Sequence, residues 1–148
     1  MILISHRGNL SGKINSRENK PDYVLEAINA GYNVEIDVWH TESNNGWFLG
    51  HDQPQYRADT DFLKMPEIWC HAKNIDTLNE LLKIKAHCFF HQRDTATLTS
   101  KGYIWTAPLE DLTQNSICVL PERQRDIDID KAAGICSDFI GEVPYSTK

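Results

Sequence analysis

Glu35 and Asp37 stand inside an otherwise apolar stretch, Val34-Glu35-Ile36-Asp37-Val38, with His6-Arg7 upstream and His51-Asp52 downstream. The alternation has period two, which predicts a strand carrying both carboxylates on one face. From the rise per strand residue the two lie about 6.5 Å apart, and they repel unless a cation sits between them or a partner neutralises them. A divalent metal is the simplest partner. An acidic pair of this kind, accompanied by two histidines, an arginine and a further carboxylate, points to phosphate ester chemistry.

The rest of the chain must bring these residues together, and its pattern is short apolar strand, polar turn, then helix or loop. Strands are expected over 2–5, 34–39, 68–72, 87–91, 103–106, 117–120 and 134–138, and helices over 22–30 and 76–83. Pro21 opens the first helix, Val24, Ala27 and Ile28 form its apolar stripe, and Gly31 stops it. Leu78, Leu81 and Leu82 supply the stripe of the second. Asn44-Asn45-Gly46 predicts a hairpin turn that returns residues 48–51 alongside the second strand, and His51 with them to Glu35 and Asp37. The grammar is that of βα units, so the expected fold is α/β: a compressed TIM-type parallel (β/α) barrel of seven or eight strands with abbreviated helices. An eighth strand would fall within 56–65, and an open parallel sheet is the alternative. Barrels of eight βα units ordinarily take about 250 residues. Only about ten residues separate the strands ending at 106 and starting at 117, so some crossover helices must shrink to a turn.

At 148 residues the chain is expected to form one domain, 1–148. Fifteen basic against 21 acidic residues give a net charge of −6, which works against non-specific attraction to nucleic acid or anionic lipid, so any phosphate contact must be local. No apolar run approaches the roughly 18 residues of a membrane span, and Met1-Ile2-Leu3-Ile4-Ser5 does not open a leader, so a cytoplasmic location is expected. Cys70, Cys88, Cys118 and Cys136 are widely spaced in apolar segments, which predicts buried, reduced thiols rather than a zinc site.

Taken in order, Ser5-His6-Arg7-Gly8, Glu18-Asn19, Glu35-x-Asp37, Gly50-His51-Asp52 and the C-terminal Gly134-Ile135-Cys136-Ser137-Asp138 resemble the glycerophosphodiester phosphodiesterase family, within the barrel phosphodiesterases that include phosphatidylinositol-specific phospholipases. The resemblance implies hydrolysis of a small phosphodiester in lipid metabolism, with His6 and His51 as the catalytic acid/base pair. It implies Glu35 and Asp37 as ligands of a divalent ion, Mg²⁺ or Ca²⁺, and Arg7 and Lys73 as the groups that hold phosphate.

The departure lies on the third strand, where the family carries an acidic residue and this chain has His71-Ala72-Lys73. An imidazole ligand at His71 moves the preference towards Mn²⁺ or another transition metal; Glu122 is the alternative source of a third carboxylate. Asp52 and His91 are supporting candidates, the first to orient an imidazole and the second at a strand end. Trp105 is a candidate for the pocket wall. A catalytically degenerate fold that binds a phosphorylated ligand or a partner without turnover is the competing expectation.

Overall fold

The computed structural model describes residues 1–43, 46–124 and 126–142. It contains ten strands: β1 (Ile2–His6), β2 (Asn33–Thr41), β3 (Gly46–Leu49), β4 (Tyr56–Ala58), β5 (Ile68–Ala72), β6 (Cys88–Phe89), β7 (Ala96–Leu98), β8 (Ile104–Thr106), β9 (Ser116–Val119) and β10 (Gly134–Ser137). The helices are α1 (Pro21–Asn29), α2 (Thr60–Leu63) and α3 (Ile75–Lys83), with single 3-10 turns at Pro121–Arg123 and Ile129–Lys131. All ten strands belong to one sheet, ordered β4-β3-β2-β1-β10-β9-β8-β7, with β5 on β2 and β6 on β5.

This corrects the expected compressed TIM-type barrel. The sheet is mixed: β1, β2, β5, β6, β8, β9 and β10 pair in parallel, while β3 runs antiparallel to β2, β4 to β3, and β7 to β8. Among the described residues no ladder joins β6 to β8, and β6 meets the 97–100 segment only through isolated bonds such as Ser100 N–H to the Cys88 carbonyl, 2.8 Å. The reason is chain length. A parallel crossover through a helix takes a dozen or more residues, and 148 residues cannot supply one for every strand. The β8-to-β9 connection, residues 107–115, carries no helix, and the strand found within 56–65, β4, extends the β2–β3 hairpin instead of adding a parallel stave. The expected turn at Asn44-Asn45 lies outside the described residues, but β3 does return beside β2, with Thr41 opposite Gly46.

Period two along the parallel strands divides the apolar side chains between two faces. Val34, Ile36 and Val38 of β2, with Ile68, Cys70 and Ala72 of β5 and Cys88 of β6, face the helices and pack with Val24, Ala27, Leu63 and Leu81. The other face buries Ile4, Trp69, Phe89, Trp105, Ile117, Val119 and Cys136 together. Each fully buried Leu or Ile contributes about 1.5–3 kcal/mol relative to exposure. Pro at the start of α1 and an Asn74 side chain that accepts from the Thr77 N–H at the start of α3 set where those helices begin. All four cysteines are free and buried, and among the described residues no helix is long and apolar enough to cross a membrane.

Candidate active site

β2 is nine residues long, and its partners change along its length. β1 runs beside it only as far as His6, opposite Glu35; from Val38 onward β3 takes over that edge. The Arg7 N–H donates to the Glu35 carbonyl and the Gly50 N–H to the Asp37 carbonyl, so the chain leaving β1 and the chain leaving β3 both depart at the level of the acidic pair. His6-Arg7 and His51-Asp52 arrive there by this route. On the opposite edge, β5 sets His71 opposite Asp37, and the Lys73 N–H continues the pairing to the Val38 carbonyl.

Arg7, just after β1, stands at φ 59° and Asn19, just before α1, at φ 65°, left-handed values that non-glycine residues adopt rarely, Asn more readily than most. Gly8, at φ 96°, has no alternative, because a Cβ there would lie 2.7 Å from the Tyr23 ring. The left-handed Asn19 aims both ends of its amide at Asp37: Nδ2 donates to Oδ2, and Oδ1 accepts the Asp37 N–H, each at 2.9 Å.

Asp37 is fully buried and its carboxylate is crowded by cations. Arg7 Nε lies 3.0 Å from Oδ2, Lys73 Nζ 3.4 Å from Oδ1 and His71 Nδ1 3.3 Å from Oδ1. Burial pushes this carboxyl up, but His71, Arg7 and Lys73 hold it far below the ordinary carboxylate range. Burial pulls His71 down, yet Asp37 and Glu35 outweigh it and raise the imidazole to about 9. Arg7 is shared with Glu18, whose Oε2 accepts from a guanidinium nitrogen at 3.1 Å. Glu35, 2 % exposed, lies 3.7 Å from both His71 Nδ1 and His6 Nε2, and its Oε2 is a buried acceptor with no hydrogen-bond partner among the described residues.

Ligand atoms of Glu35, Asp37 and His71 all lie within 4.8 Å of one another, so the cluster could hold a metal ion. The donor set fits a divalent cation: two carboxylates, an imidazole, and in Glu35 Oε2 an orphaned lone pair that such an ion would satisfy. Glu122, the alternative third ligand, lies elsewhere in the network. Its Oε2 accepts from the Ser137 hydroxyl at 2.9 Å and its Oε1 from the Asp138 N–H at 3.0 Å.

Glu122 thereby braces Asp138, which the sequence analysis noted only as the end of a motif. Asp138 Oδ1 lies 2.7 Å from His6 Nδ1 and accepts from Asn9 Nδ2 at 2.9 Å. Asn9 in turn accepts from the Tyr23 hydroxyl at 3.1 Å. Burial raises the Asp138 carboxyl, but the His6 contact, the Asn9 amide and, more weakly, the Arg123 charge hold it below the ordinary range. Burial likewise lowers His6, and the Asp138 hydrogen bond and Glu35 charge overcome it, so His6 stands above the ordinary histidine value. Nε2 is the ring nitrogen left facing Glu35 and the cavity.

His51 forms the second carboxylate–imidazole pair, Nδ1 to Asp52 Oδ1 at 2.7 Å, on the loop after β3. That loop is tight: Gly50 sits at φ 155°, and a Cβ there would collide with the Gln53 carbonyl oxygen. His91 stacks on His71 with ring centroids 4.5 Å apart, and the His71 ring also stacks on Phe89 at 5.1 Å. Burial and the His71 charge lower His91.

His6, Arg7, Glu35, His51, His71, Lys73, His91, Trp105 and Asp138 line one cavity of about 750 Å³, and Asp37 lies buried behind it against His71, Arg7 and Lys73. Asp52 is largely exposed and is not part of that lining. Of the residues singled out in the sequence, His6, Arg7, Glu35, His51, His71, Lys73 and His91 share the cavity, Asp37 joins the cluster of Glu35 and His71, Glu122 stands one step behind at Asp138, and Asp52 lies outside the lining. Sequence reasoning missed the roles of Asp138, Asn9 and Asn19, although Glu18-Asn19 and Ser137-Asp138 stand in the motifs already quoted. No known family model, curated protein or solved structure matches the chain.

Proposed function

We propose that this chain is a metal-dependent phosphodiesterase that cleaves a small phosphodiester, such as a glycerophosphodiester, to an alcohol and a phosphomonoester. The observation that carries the reading is the juxtaposition of Glu35, Asp37 and His71 within 4.8 Å with two carboxylate-paired histidines and Arg7 and Lys73 around one cavity. Its motif resemblance to glycerophosphodiester phosphodiesterases supports the same choice.

Glu35, Asp37 and His71 would hold the ion: Mg²⁺ or Ca²⁺ through the carboxylates, with Mn²⁺ or another transition metal admitted by the imidazole. Such an ion supplies positive charge against a non-bridging phosphoryl oxygen. Arg7 and Lys73 orient the phosphate with a fork of donors and a point charge. His6, whose ring the Asp138 hydrogen bond raises against the effect of burial, is placed to donate a proton from Nε2 to the departing alkoxide oxygen. His51, with Nδ1 turned to Asp52, would use Nε2 to take the proton of the attacking water, whose oxygen forms the new P–O bond as the alkoxide leaves.

One observation favours the competing reading of a binder without turnover. The Asp37 carboxylate already has Arg7, Lys73, Asn19 and His71 as partners, so a metal must compete with an existing set of cations. Release of alcohol from a panel of glycerophosphodiesters, titrated with Mg²⁺, Ca²⁺ and Mn²⁺ after chelation, decides between them. Metal-dependent release is expected, with phosphomonoester rather than cyclic phosphate as product. No release with any ion overturns the hydrolase reading.

A further inference from the structure

The cavity is cationic at its mouth in a protein that is acidic overall. Five Lys or Arg residues line it against three Asp or Glu, the reverse of the 15 to 21 balance of the chain. Arg7 and Lys73 are committed to Asp37. Lys13, Arg93 and Arg123 are not: all three are exposed, and none forms an ion pair with a described residue. Of the three lining carboxylates, Glu35 and Asp138 sit in the buried network around His71 and His6, with Arg123 acting only weakly on Asp138, and Asp94 is the exposed one.

The three cations come from three separate connections. Lys13 follows β1, Arg93 follows β6, and Arg123 belongs to the 3-10 turn after β9, so each rises from beyond the C-terminal end of a parallel strand, the end at which His6, Asp37 and His71 lie. Uncompensated like charges converging on one cavity repel one another, and an anion between them relieves that repulsion. The scissile phosphate would already be met deeper in the cavity by Arg7 and Lys73. At about 750 Å³ the space lies in the upper part of the roughly 300–1,000 Å³ range of ligand pockets and has room for more than one phosphate group.

We infer that Lys13, Arg93 and Arg123 form a second anion subsite at the mouth, so that the preferred substrate carries a further anionic group, a phosphate, beyond its scissile phosphodiester. This rests on the phosphodiesterase reading and names its substrate class.

The test is a matched pair: glycerophosphoglycerol, and the same compound bearing a terminal phosphomonoester. kcat/KM is measured for both on the parent protein and on Arg93→Ala/Arg123→Ala, at low and high salt, with Lys13→Ala as a separate variant. The parent is expected to prefer the phosphorylated compound by about tenfold at low salt, the preference shrinking as salt rises and falling to within about twofold in the double variant. Equal kcat/KM on the parent, or a preference that survives the double substitution, overturns the subsite. Calorimetric binding of both compounds to the His6→Ala protein separates the two failures. A binding preference that depends on Arg93 and Arg123 without turnover in the parent supports the subsite and sinks the hydrolase; turnover without preference does the reverse.

Discussion

Two histidines at opposite ends of one face of the sheet are driven in opposite directions. His71, at the C-terminal end of β5, lies between Glu35 and Asp37 and is raised to about 9. His87, just before β6 at the opposite end, packs on the Trp69 ring at 4.0 Å, and among the described residues its one side-chain hydrogen-bond partner is the Thr99 hydroxyl at 2.8 Å. Burial, with Lys101 adding to it, lowers His87 to about 4. The layer between them is apolar: Phe89 and Trp105 stack 4.5 Å apart and separate the two ends. One end of this face is organised to hold charge and the other to exclude it, in keeping with the rule that open sheets of parallel strands bind ligands outside the carboxyl ends of those strands.

Substitutions at the charged end should therefore cost activity, and those at the apolar end stability. The largest effect is expected at His6. His6→Ala should lower kcat by about 10²–10⁴-fold in the phosphodiester assay while leaving metal binding in place, since His6 is not among the three clustered ligands. A loss of metal affinity equal to the loss of rate would break the division of labour.

The apolar end is tested by pH. The folded-state pKa of His87 lies below its unfolded value, so the unfolded chain binds more protons between them, and stability must fall as pH drops from about 6.5 towards 4. The full span is worth up to about 3 kcal/mol. Denaturant unfolding at pH 7 and pH 5 should show this loss in the parent and a smaller one in His87→Gln, with turnover at pH 7 unaffected. A pH dependence identical in the two proteins would show that His87 is not held neutral.

How legible this division was differs between the two ends. The charged end could be read because its residues stand out from apolar strands: Glu35 and Asp37 alternate with Val34, Ile36 and Val38 in a period-two pattern, and a hairpin signal after Trp39 returned His51 to them. Asp138 could not be assigned to His6, since 132 positions separate them and only the β1–β10 register brings them together. Asn19 was equally hidden, because its role depends on a left-handed backbone that no residue type announces. The barrel expectation failed for a related reason. Apolar segments announce strands but not how they close, and the short β4 and β7 pair antiparallel at the margins of the sheet, where three residues carry too little pattern to read.

His71 offers a sharper test of what the charged end selects. His71→Glu restores a third carboxylate and should shift metal activation from Mn²⁺ towards Mg²⁺ or Ca²⁺, by about tenfold in relative affinity measured calorimetrically. An unchanged metal order would remove His71 from the ligand set and leave it as a cation that balances Asp37.

The smallest effects separate the two carboxylate–imidazole pairs. Asp138 is buried and braced by Asn9 and Glu122, whereas Asp52 is 91 % exposed and its partner His51 49 %. A carboxylate fixed by its own hydrogen bonds imposes one ring orientation; one that reorients in water does so weakly. Asp138→Asn should cost about 10–100-fold in kcat and move the alkaline limb of the pH profile to lower pH, because His6 loses the partner that raises it and gives up its proton sooner. Asp52→Asn should cost no more than about fivefold, the worth of an exposed pair, and should leave that limb where it is. If the Asp52 variant instead lost as much as the Asp138 variant, the loop after β3 must close over bound substrate, and His51 would be as firmly organised in the working complex as His6 is without it.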